Sequence, residues 1–160
     1  MPIRHAPAAY DCPYCAIVRG DDRLPWTVQE DVVLRALRTT AWINARWWAN
    51  NPGGVIVVPN EHVENMYELH RELAGDVHET ARLVALALKA SYGCDGVSTR
   101  QHNEPGGNQE VWHYHLHVFP RWEGDDLYGS SAREATSEER APYASRLRGA
   151  LARLATASEA

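Results

Sequence analysis

Three histidines separated by single residues mark the segment of the sequence whose side chains are best suited to chemistry. His113, His115 and His117 lie in the run Trp112–Pro120, which reads WHYHLHVFP. If this run is a β-strand, side chains alternate between its two faces, and the three imidazoles point to the same side. Imidazole titrates near neutral pH and serves as a nucleophile, a general base or a metal ligand. The spacing therefore favours a reactive or metal-binding surface over a half-exposed strand with solvated histidines.

A Cys-x-x-Cys pair near the N-terminus offers two thiols close enough to hold one metal ion. The pair is Cys12 and Cys15. Because structural zinc normally takes four ligands, the pair supplies half a site, and histidines are the residues numerous enough to complete it. His62, which follows a predicted buried strand, is one candidate. A redox dithiol and two buried thiols are the alternatives, although no thioredoxin-like pattern flanks the pair.

A glycine-containing loop leads directly into the histidine run. Residues 103–109 read NEPGGNQ. Glycine lets backbone N–H groups approach an anion closely, so this loop is able to cradle a phosphate. A hairpin loop without any ligand is the alternative.

Composition indicates an ordinary globular protein. The chain has 160 residues, of which 44% are hydrophobic and 23% charged, so one domain with a short tail is expected. A net charge of −5 argues against general binding of nucleic acid or anionic membranes. There is no apolar run of the ~20 residues that a membrane span needs, and the three cysteines are too few for a disulfide framework. We predict a cytoplasmic protein.

Apolar periodicity predicts the elements that position these residues. A strand is expected for the histidine run, and four more at Val28–Leu37, Thr39–Asn44, Val55–Val58 and Gly96–His102. The longest amphipathic pattern predicts a helix from about Arg71 to Tyr92. A last helix is expected from about Pro142, packed on the core or on a second subunit.

Taken together, these motifs resemble the histidine triad (HIT) family of nucleotide hydrolases and transferases. The family signature His-x-His-x-His stands at residues 113–117, and the resemblance extends over roughly residues 10–122. It implies an α+β, HIT-like fold with an antiparallel sheet of about five strands, one long helix and one C-terminal helix. We accordingly predict a HIT domain over residues 1–122 and a tail over residues 123–160 whose helix packs on the core or on a dimer partner.

The resemblance also implies a reaction. His115 matches the family nucleophile, which attacks the α-phosphorus of a nucleoside phosphoramidate, dinucleoside polyphosphate or related nucleotide to form a covalent nucleotidyl-histidine. Water or another acceptor then releases a nucleoside monophosphate. His117 and Gln109 match residues that donate to the phosphate oxygens. Nucleotide-binding positions carried over in the same way are Asn44 at the ribose, Ile43 at the base, and Asn103, Gly107 and Asn108 in the loop.

Some HIT proteins carry a structural zinc ion, and all four matching ligand positions are occupied in this sequence. They are Cys12, Cys15, His62 and His113. The resemblance thus implies a Cys₂His₂ zinc site that ties the N-terminal segment to the catalytic segment without activating water. The implied partners are a nucleotide substrate and a second copy of the chain, with no membrane and no general nucleic-acid binding.

The sequence departs from the family pattern beside the loop glutamine. Asn108 and Glu110 stand where the family usually has Gly and Ser or Thr, and either His102 or Asn103 matches the loop asparagine. An extra carboxylate near a phosphate is unfavourable unless it points away or pairs with a basic group. Two other functions therefore stay open: a nucleotide-binding regulator without useful turnover, and a catalytic metal centre built from the three histidines.

Overall fold

A five-stranded antiparallel sheet carries the histidine segment. The computed structural model describes residues 3–21 and 26–158. The strands are β1 (Val32–Arg35), β2 (Thr39–Ile43), β3 (Arg46–Trp48), β4 (Val55–Pro59), β5 (Gly96–Gln101), β6 (Leu116–Arg121) and β7 (Ala132–Glu134). The main sheet has the order β1-β2-β4-β6-β5, while β3 and β7 pair in a second, two-stranded sheet. The five-stranded antiparallel sheet expected from the sequence is confirmed.

Three helices accompany the sheets: α1 (Pro13–Arg19), α2 (Arg71–Tyr92) and α3 (Ser137–Ser158). The long helix α2 has the predicted bounds and buries its apolar stripe, including Val77 and Val84. It ends at Gly93, whose φ of 68° is a left-handed conformation that glycine adopts without strain. Among the described residues, no helix combines the length and apolarity that a membrane span requires.

The C-terminal helix begins earlier than the sequence pattern suggests. Thr136 Oγ1 accepts from the N–H of Glu139, and a Glu139 carboxylate oxygen accepts from the N–H of Thr136. This reciprocal capping box starts α3 at Ser137. Pro142, which was expected near the first turn, therefore lies inside the helix.

Two predicted strands are shorter than expected. The first is limited to β1, because Gln29–Asp31 forms a 3₁₀ turn in which the Asp31 carboxylate accepts from the N–H of Val28. The histidine strand begins only at Leu116. Before it, the N–H of His113 bonds to the carbonyl of Val111 rather than to a neighbouring strand. The prediction that all three histidines lie in one strand is wrong, because only His117 belongs to β6.

The two faces of the sheet have different coverings. One face contributes Ala41, Val57 and Leu116 to the main core, which also contains the buried stripe of α2 and part of α3. The other face contributes Trp42 and Ile56 to a second cluster with α1. On this second face, the strand register aligns one residue from each of the five strands in a row: Val32, Trp42, Ile56, His117 and Arg100.

Candidate active site and metal centre

Four predicted metal ligands converge on the α1 side of the sheet. Each of Cys12, Cys15, His62 and His113 offers a ligand atom, and these four atoms lie within 4.8 Å of one another. His113 Nδ1 is 3.3 Å from Cys12 Sγ, and His62 Nδ1 is 3.3 Å from Cys15 Sγ. Zinc–sulfur and zinc–nitrogen bonds of ordinary length, arranged tetrahedrally, place ligand atoms about 3.3–3.8 Å apart. The group therefore has the composition and spacing to hold a metal ion.

Local structure prepares these residues for a metal. Cys12 caps α1, and His113 Nε2 lies 2.9 Å from the carbonyl of Pro59, so this nitrogen donates its hydrogen and leaves Nδ1 free to ligate. Burial lowers the pKa of His113 to about 4, so the imidazole is neutral at pH 7. Burial also raises the pKa of the Cys12 thiol to about 12. A thiolate at this position needs a neighbouring cation, and a divalent metal supplies one.

His115 lies two residues beyond the candidate metal ligand His113, at the wall of a separate cavity. Its ring is 5% exposed, and its Nδ1 is 2.7 Å from the carbonyl oxygen of His113. This contact requires the hydrogen on Nδ1, so Nε2 carries the lone pair. Tyr14 packs edge-on against the ring with 5.2 Å between centroids. Burial lowers the pKa of His115, which keeps the imidazole neutral and nucleophilic at pH 7.

His117 follows in β6, and its ring centroid is 5.1 Å from that of His115. The His117 ring also stacks on Phe119, with 5.6 Å between the ring centroids. Burial holds the pKa of His117 well below its ordinary value, with further lowering by His115 and Arg100. Its Nδ1 is buried and has no hydrogen-bond partner among the described residues. The two catalytic histidines predicted from the sequence therefore stand side by side.

The cavity beside these histidines has a volume of about 400 Å³, which is within the range of small-molecule sites. Besides His115 and His117, its lining includes two of the predicted nucleotide-binding residues, Asn44 and Asn108. The other lining residues are Tyr14, Trp26, Ala45, Arg46, Trp48, Ile56, Arg100, His102, Glu110, Val111 and Glu134.

Gln109 does not line the cavity. Its Nε2 donates to the carbonyls of Glu64 and Val111, and its Oε1 accepts from the N–H of Glu104. Both amide hydrogens are thus used by the backbone. In this arrangement the side chain closes the loop, and the donation to a phosphate expected from the sequence would require these internal hydrogen bonds to break.

Three further predicted nucleotide-binding residues lie outside the cavity wall. Ile43 is fully buried in the main core. Asn103 accepts from the N–H of Met66 on the far side of the loop. Gly107 donates its N–H to the carbonyl of Glu104, so this hydrogen is not available to an anion. His102 takes the place at the cavity that the sequence left open between His102 and Asn103.

The two departures from the family pattern have structural explanations. Asn108 has φ 64°, a left-handed conformation in which glycine is most comfortable and asparagine is tolerated. The carboxylate of Glu110 lies at the cavity edge, 79% exposed and 3.7 Å from the guanidinium of Arg46. The extra negative charge is therefore solvated and faces a cation.

Sequence reasoning missed Arg100, Arg46 and Trp26 as cavity residues. Arg100 lies two positions before His102 in β5, and strand alternation alone would have placed both on one face. What the sequence lacks is the register that sets Arg100 opposite His117. Trp26 lies far from the other motifs along the chain, and no local pattern marks it.

Comparison with known proteins agrees with this geometry. The HIT domain family model matches residues 29–124. The chain is 29% identical over 122 residues to the "Protein hit" of Bacillus subtilis, covering 76% of this chain and 79% of that protein. It also resembles the crystal structure of a zinc-bound histidine triad family protein from Mycobacterium smegmatis, with 27% identity and a TM-score of 0.77. That alignment covers 92% of this chain and 97% of the other.

Two relatives have named activities. A bis(5'-adenosyl)-triphosphatase of Saccharomyces cerevisiae is 29% identical over 106 residues, covering 63% of this chain. The adenylylsulfatase HINT3 of Arabidopsis thaliana is 24% identical over 122 residues, covering 76% of this chain. The matched regions span 50% and 58% of these two proteins.

Proposed function

Because the chain belongs to the HIT domain family, we propose that it transfers a nucleotidyl group through a covalent intermediate on His115. It is an enzyme of the nucleotide-binding hydrolase and transferase kind that the family comprises. The observation that carries the finer proposal is the orientation of His115. Its Nδ1 hydrogen is committed to the His113 carbonyl, and the ring borders the cavity that a nucleotide would enter.

The reaction has two displacements at one phosphorus atom. The Nε2 lone pair of His115 attacks the α-phosphorus, a nitrogen–phosphorus bond forms, and the bond to the leaving group breaks with its electron pair. Water then attacks the same phosphorus, loses a proton and releases the nucleoside monophosphate, and His115 regains its lone pair. A neutral imidazole suits both steps, since it is a nucleophile at pH 7 and also a competent leaving group.

The neighbouring residues give the substrate its orientation. We assign His117 the role of donor to a phosphate oxygen, because its ring lies beside that of His115 and the residue lines the same cavity. The Oδ1 of Asn44 accepts from the N–H of Arg46, which fixes the amide at the cavity wall. The Asn44 amide group is then available for a ribose hydroxyl.

We further propose that the four-residue cluster binds a structural zinc ion. The support is the Cys₂His₂ composition, the close ligand spacing and the zinc-bound relative from M. smegmatis. Zinc would supply folding stability by joining α1 to the segment that carries His115. His115 itself is outside the cluster, so the proposed ion would not bind the nucleophile. A homodimer and a cytoplasmic location stay predictions.

The decisive experiment compares wild-type protein with His115→Asn on adenosine 5'-phosphoramidate and on a dinucleoside polyphosphate, with intact mass recorded after a rapid acid-free quench. We expect nucleoside monophosphate and a transient nucleotidyl adduct with wild type, and neither with His115→Asn. His78→Asn, an exposed change on α2, is the matched control and should behave as wild type.

A different result would favour the regulator. The engagement of the Gln109 amide and the loop N–H groups in internal hydrogen bonds is the observation that supports it. If wild-type protein binds both nucleotides but turns over neither, the hydrolase and transferase proposal fails and the binding function stands.

A further inference from the structure

Arg100 is an uncompensated cation beside the catalytic histidines. It lies on β5 directly opposite His117 of β6 and shares the face that carries the cavity. Its guanidinium carbon is 4.7 Å from the ring centroid of Trp48 and 5.1 Å from that of Phe119. These two rings hold the cation by cation–π contact and keep its donors at the cavity wall.

No acceptor satisfies this guanidinium within the described residues 3–21 and 26–158. Its Nε is buried without a hydrogen-bond partner, and the side chain takes part in no ion pair there. The side chain as a whole is half-buried, and a polar nitrogen that is shielded from water normally has a hydrogen-bond partner. Arg121 on the neighbouring strand shows the ordinary case, because its guanidinium binds both oxygens of Asp125.

The charges around Arg100 leave room for an anion. The two carboxylates that line the cavity belong to Glu110 and Glu134, and Glu110 faces Arg46 rather than Arg100. Burial lowers the pKa of Arg100, and the positive charge of Arg46 lowers it further. The attraction of an entering anion would therefore offset both the desolvation cost of Arg100 and its repulsion by Arg46.

We propose that Arg100 binds the leaving group of the substrate, and that this group is an oxyanion. The inference rests on the proposed nucleotidyl transfer. In that reaction the bond between the α-phosphorus and a bridging oxygen breaks, and the electron pair stays on that oxygen as a phosphate, polyphosphate or sulfate departs. A planar guanidinium donates two parallel hydrogen bonds to such a group. The favoured substrates are thus nucleotide anhydrides with an anionic leaving group, rather than phosphoramidates that release a neutral amine.

The test measures kcat/KM of wild type and Arg100→Gln on two substrates with the same adenylyl group. Bis(5'-adenosyl) triphosphate has an anionic leaving group, and adenosine 5'-phosphoramidate releases ammonia. For the triphosphate we expect a loss on the order of a hundredfold, the usual cost of removing one donor to developing charge. The phosphoramidate should lose less than about threefold, since it lacks the anionic group that Arg100 would bind.

Matched variants separate charge from structure. Arg100→Lys keeps the positive charge and should recover a part of the triphosphate activity. Arg82→Gln removes an arginine that pairs with Glu79 on the exposed side of α2, and it should change neither substrate. Equal losses on both substrates, or no loss on either, would overturn the assignment of Arg100.

A binding measurement tests the anion site at Arg100 independently of whether the protein catalyses nucleotidyl transfer. Tripolyphosphate, an anion without a nucleoside, is titrated into wild type and Arg100→Gln by calorimetry. Binding at least tenfold weaker in Arg100→Gln supports the anion site even if no turnover is found, whereas equal affinities exclude it. Absence of turnover in wild type would instead contradict the catalytic role of His115.

Discussion

Asp125 shows how strongly a single buried carboxylate is held in this protein. It is 5% exposed and lies after β6, where the chain turns away from the sheet. Its donors are the guanidinium of Arg121, the side-chain amide of Asn51, and the N–H groups of Trp122 and Leu127. These hydrogen bonds, those from Arg121 above all, hold the pKa of Asp125 well below its usual range. The folded state therefore favours the ionised carboxylate.

Replacing Asp125 by Asn should lower the free energy of unfolding by about 1–3 kcal/mol at pH 7, because charged hydrogen bonds are lost while Arg121 is left partly solvated. The folded-state pKa is depressed, so the stabilisation is complete above the unfolded value of about 3.9 and is lost as pH falls below it. Urea unfolding at pH 7 and at about pH 3 measures this directly, with the difference between the two proteins shrinking at the lower pH.

Glu123→Gln is the matched control, since it removes a carboxylate from an exposed position of the same turn. It should leave stability unchanged at both pH values. An Asp125→Asn protein as stable as wild type at pH 7 would show that the hydrogen bonds to the carboxylate contribute no net stability.

The sequence could indicate which residues come together where a motif combines suitable ligand types with a recognisable spacing. The four predicted metal ligands come from distant parts of the chain, yet the atoms that could bind a metal lie close together. Gln109 could not be placed in this way, because its role depends on whether the amide meets a phosphate or the carbonyls of Glu64 and Val111. That choice is made by the path of the loop, which the sequence pattern does not encode.

At the scale of elements, the proposed zinc ion would attach α1 to the sheet. This helix has only seven residues, too few to be stable alone, and it packs Tyr14 and Ile17 against the second face of the sheet. Cys12, which caps the helix, and Cys15 in its first turn meet His62 and His113 at the proposed zinc ion. Metal binding should therefore stabilise the folded state, since the unfolded chain does not hold the four ligands together.

We expect one zinc ion per chain by metal analysis of the purified protein. A chelator should lower the stability by about 4 kcal/mol if free zinc had stood a thousandfold above its dissociation constant. The melting temperature before and after chelation gives the measurement, and added zinc should restore it.

Cys12→Ser should lose the zinc, whereas Cys94→Ser, which changes a cysteine outside the cluster, should retain it. Protein that contains no zinc even after reconstitution would contradict the proposed site. More than one tightly bound metal, with activity lost on chelation, would instead favour the catalytic metal centre.

The first and last residues of an element could be predicted from the sequence where one pattern of apolar spacing runs along the whole element. Helix α2 has a long amphipathic stripe and a glycine end, and both bounds follow from them. The histidine strand was placed too early, because the alternation also covers residues 112–115 before β6, which bend and pair with no strand. Pairing depends on neighbours distant in sequence, and this explains why His113 and His115 are outside the ladder.

Across the whole molecule, the C-terminal helix completes the core that supports the sheet. Ala144, Leu147 and Ala150 of α3 are buried in the same cluster as the apolar stripe of α2. Arg140 of α3 also forms a buried ion pair with Asp31, 2.9 Å apart, just before β1. The family match ends at residue 124, and the sequence prediction likewise placed the domain boundary at 122/123. Because α3 packs into the same core, we infer that this boundary does not separate two independent folding units.

A chain ending at Trp122 should therefore fail to fold cooperatively. Removing α3 exposes the apolar surface that Leu147 and Leu151 bury, about 1.5–3 kcal/mol for each leucine. It also leaves the buried carboxylate of Asp31 without its partner, which costs about 3–5 kcal/mol. Together these losses approach the whole stability of an ordinary domain, about 5–15 kcal/mol. Thermal and urea unfolding of residues 1–122 and of the full chain, each followed by circular dichroism and tryptophan fluorescence, provides the comparison.

A chain ending at Leu154 is the control for this truncation, because the described residues 155–157 that it removes are exposed. It should unfold in one transition close to that of the full chain. If residues 1–122 instead unfold cooperatively with a similar midpoint, the segment 123–160 is an appendage to an independent domain, and α3 packs on the core without being needed by it. A cooperative transition in the full chain and its absence in the shorter one would mean that the segment carrying the predicted catalytic histidines depends on a helix outside the family match.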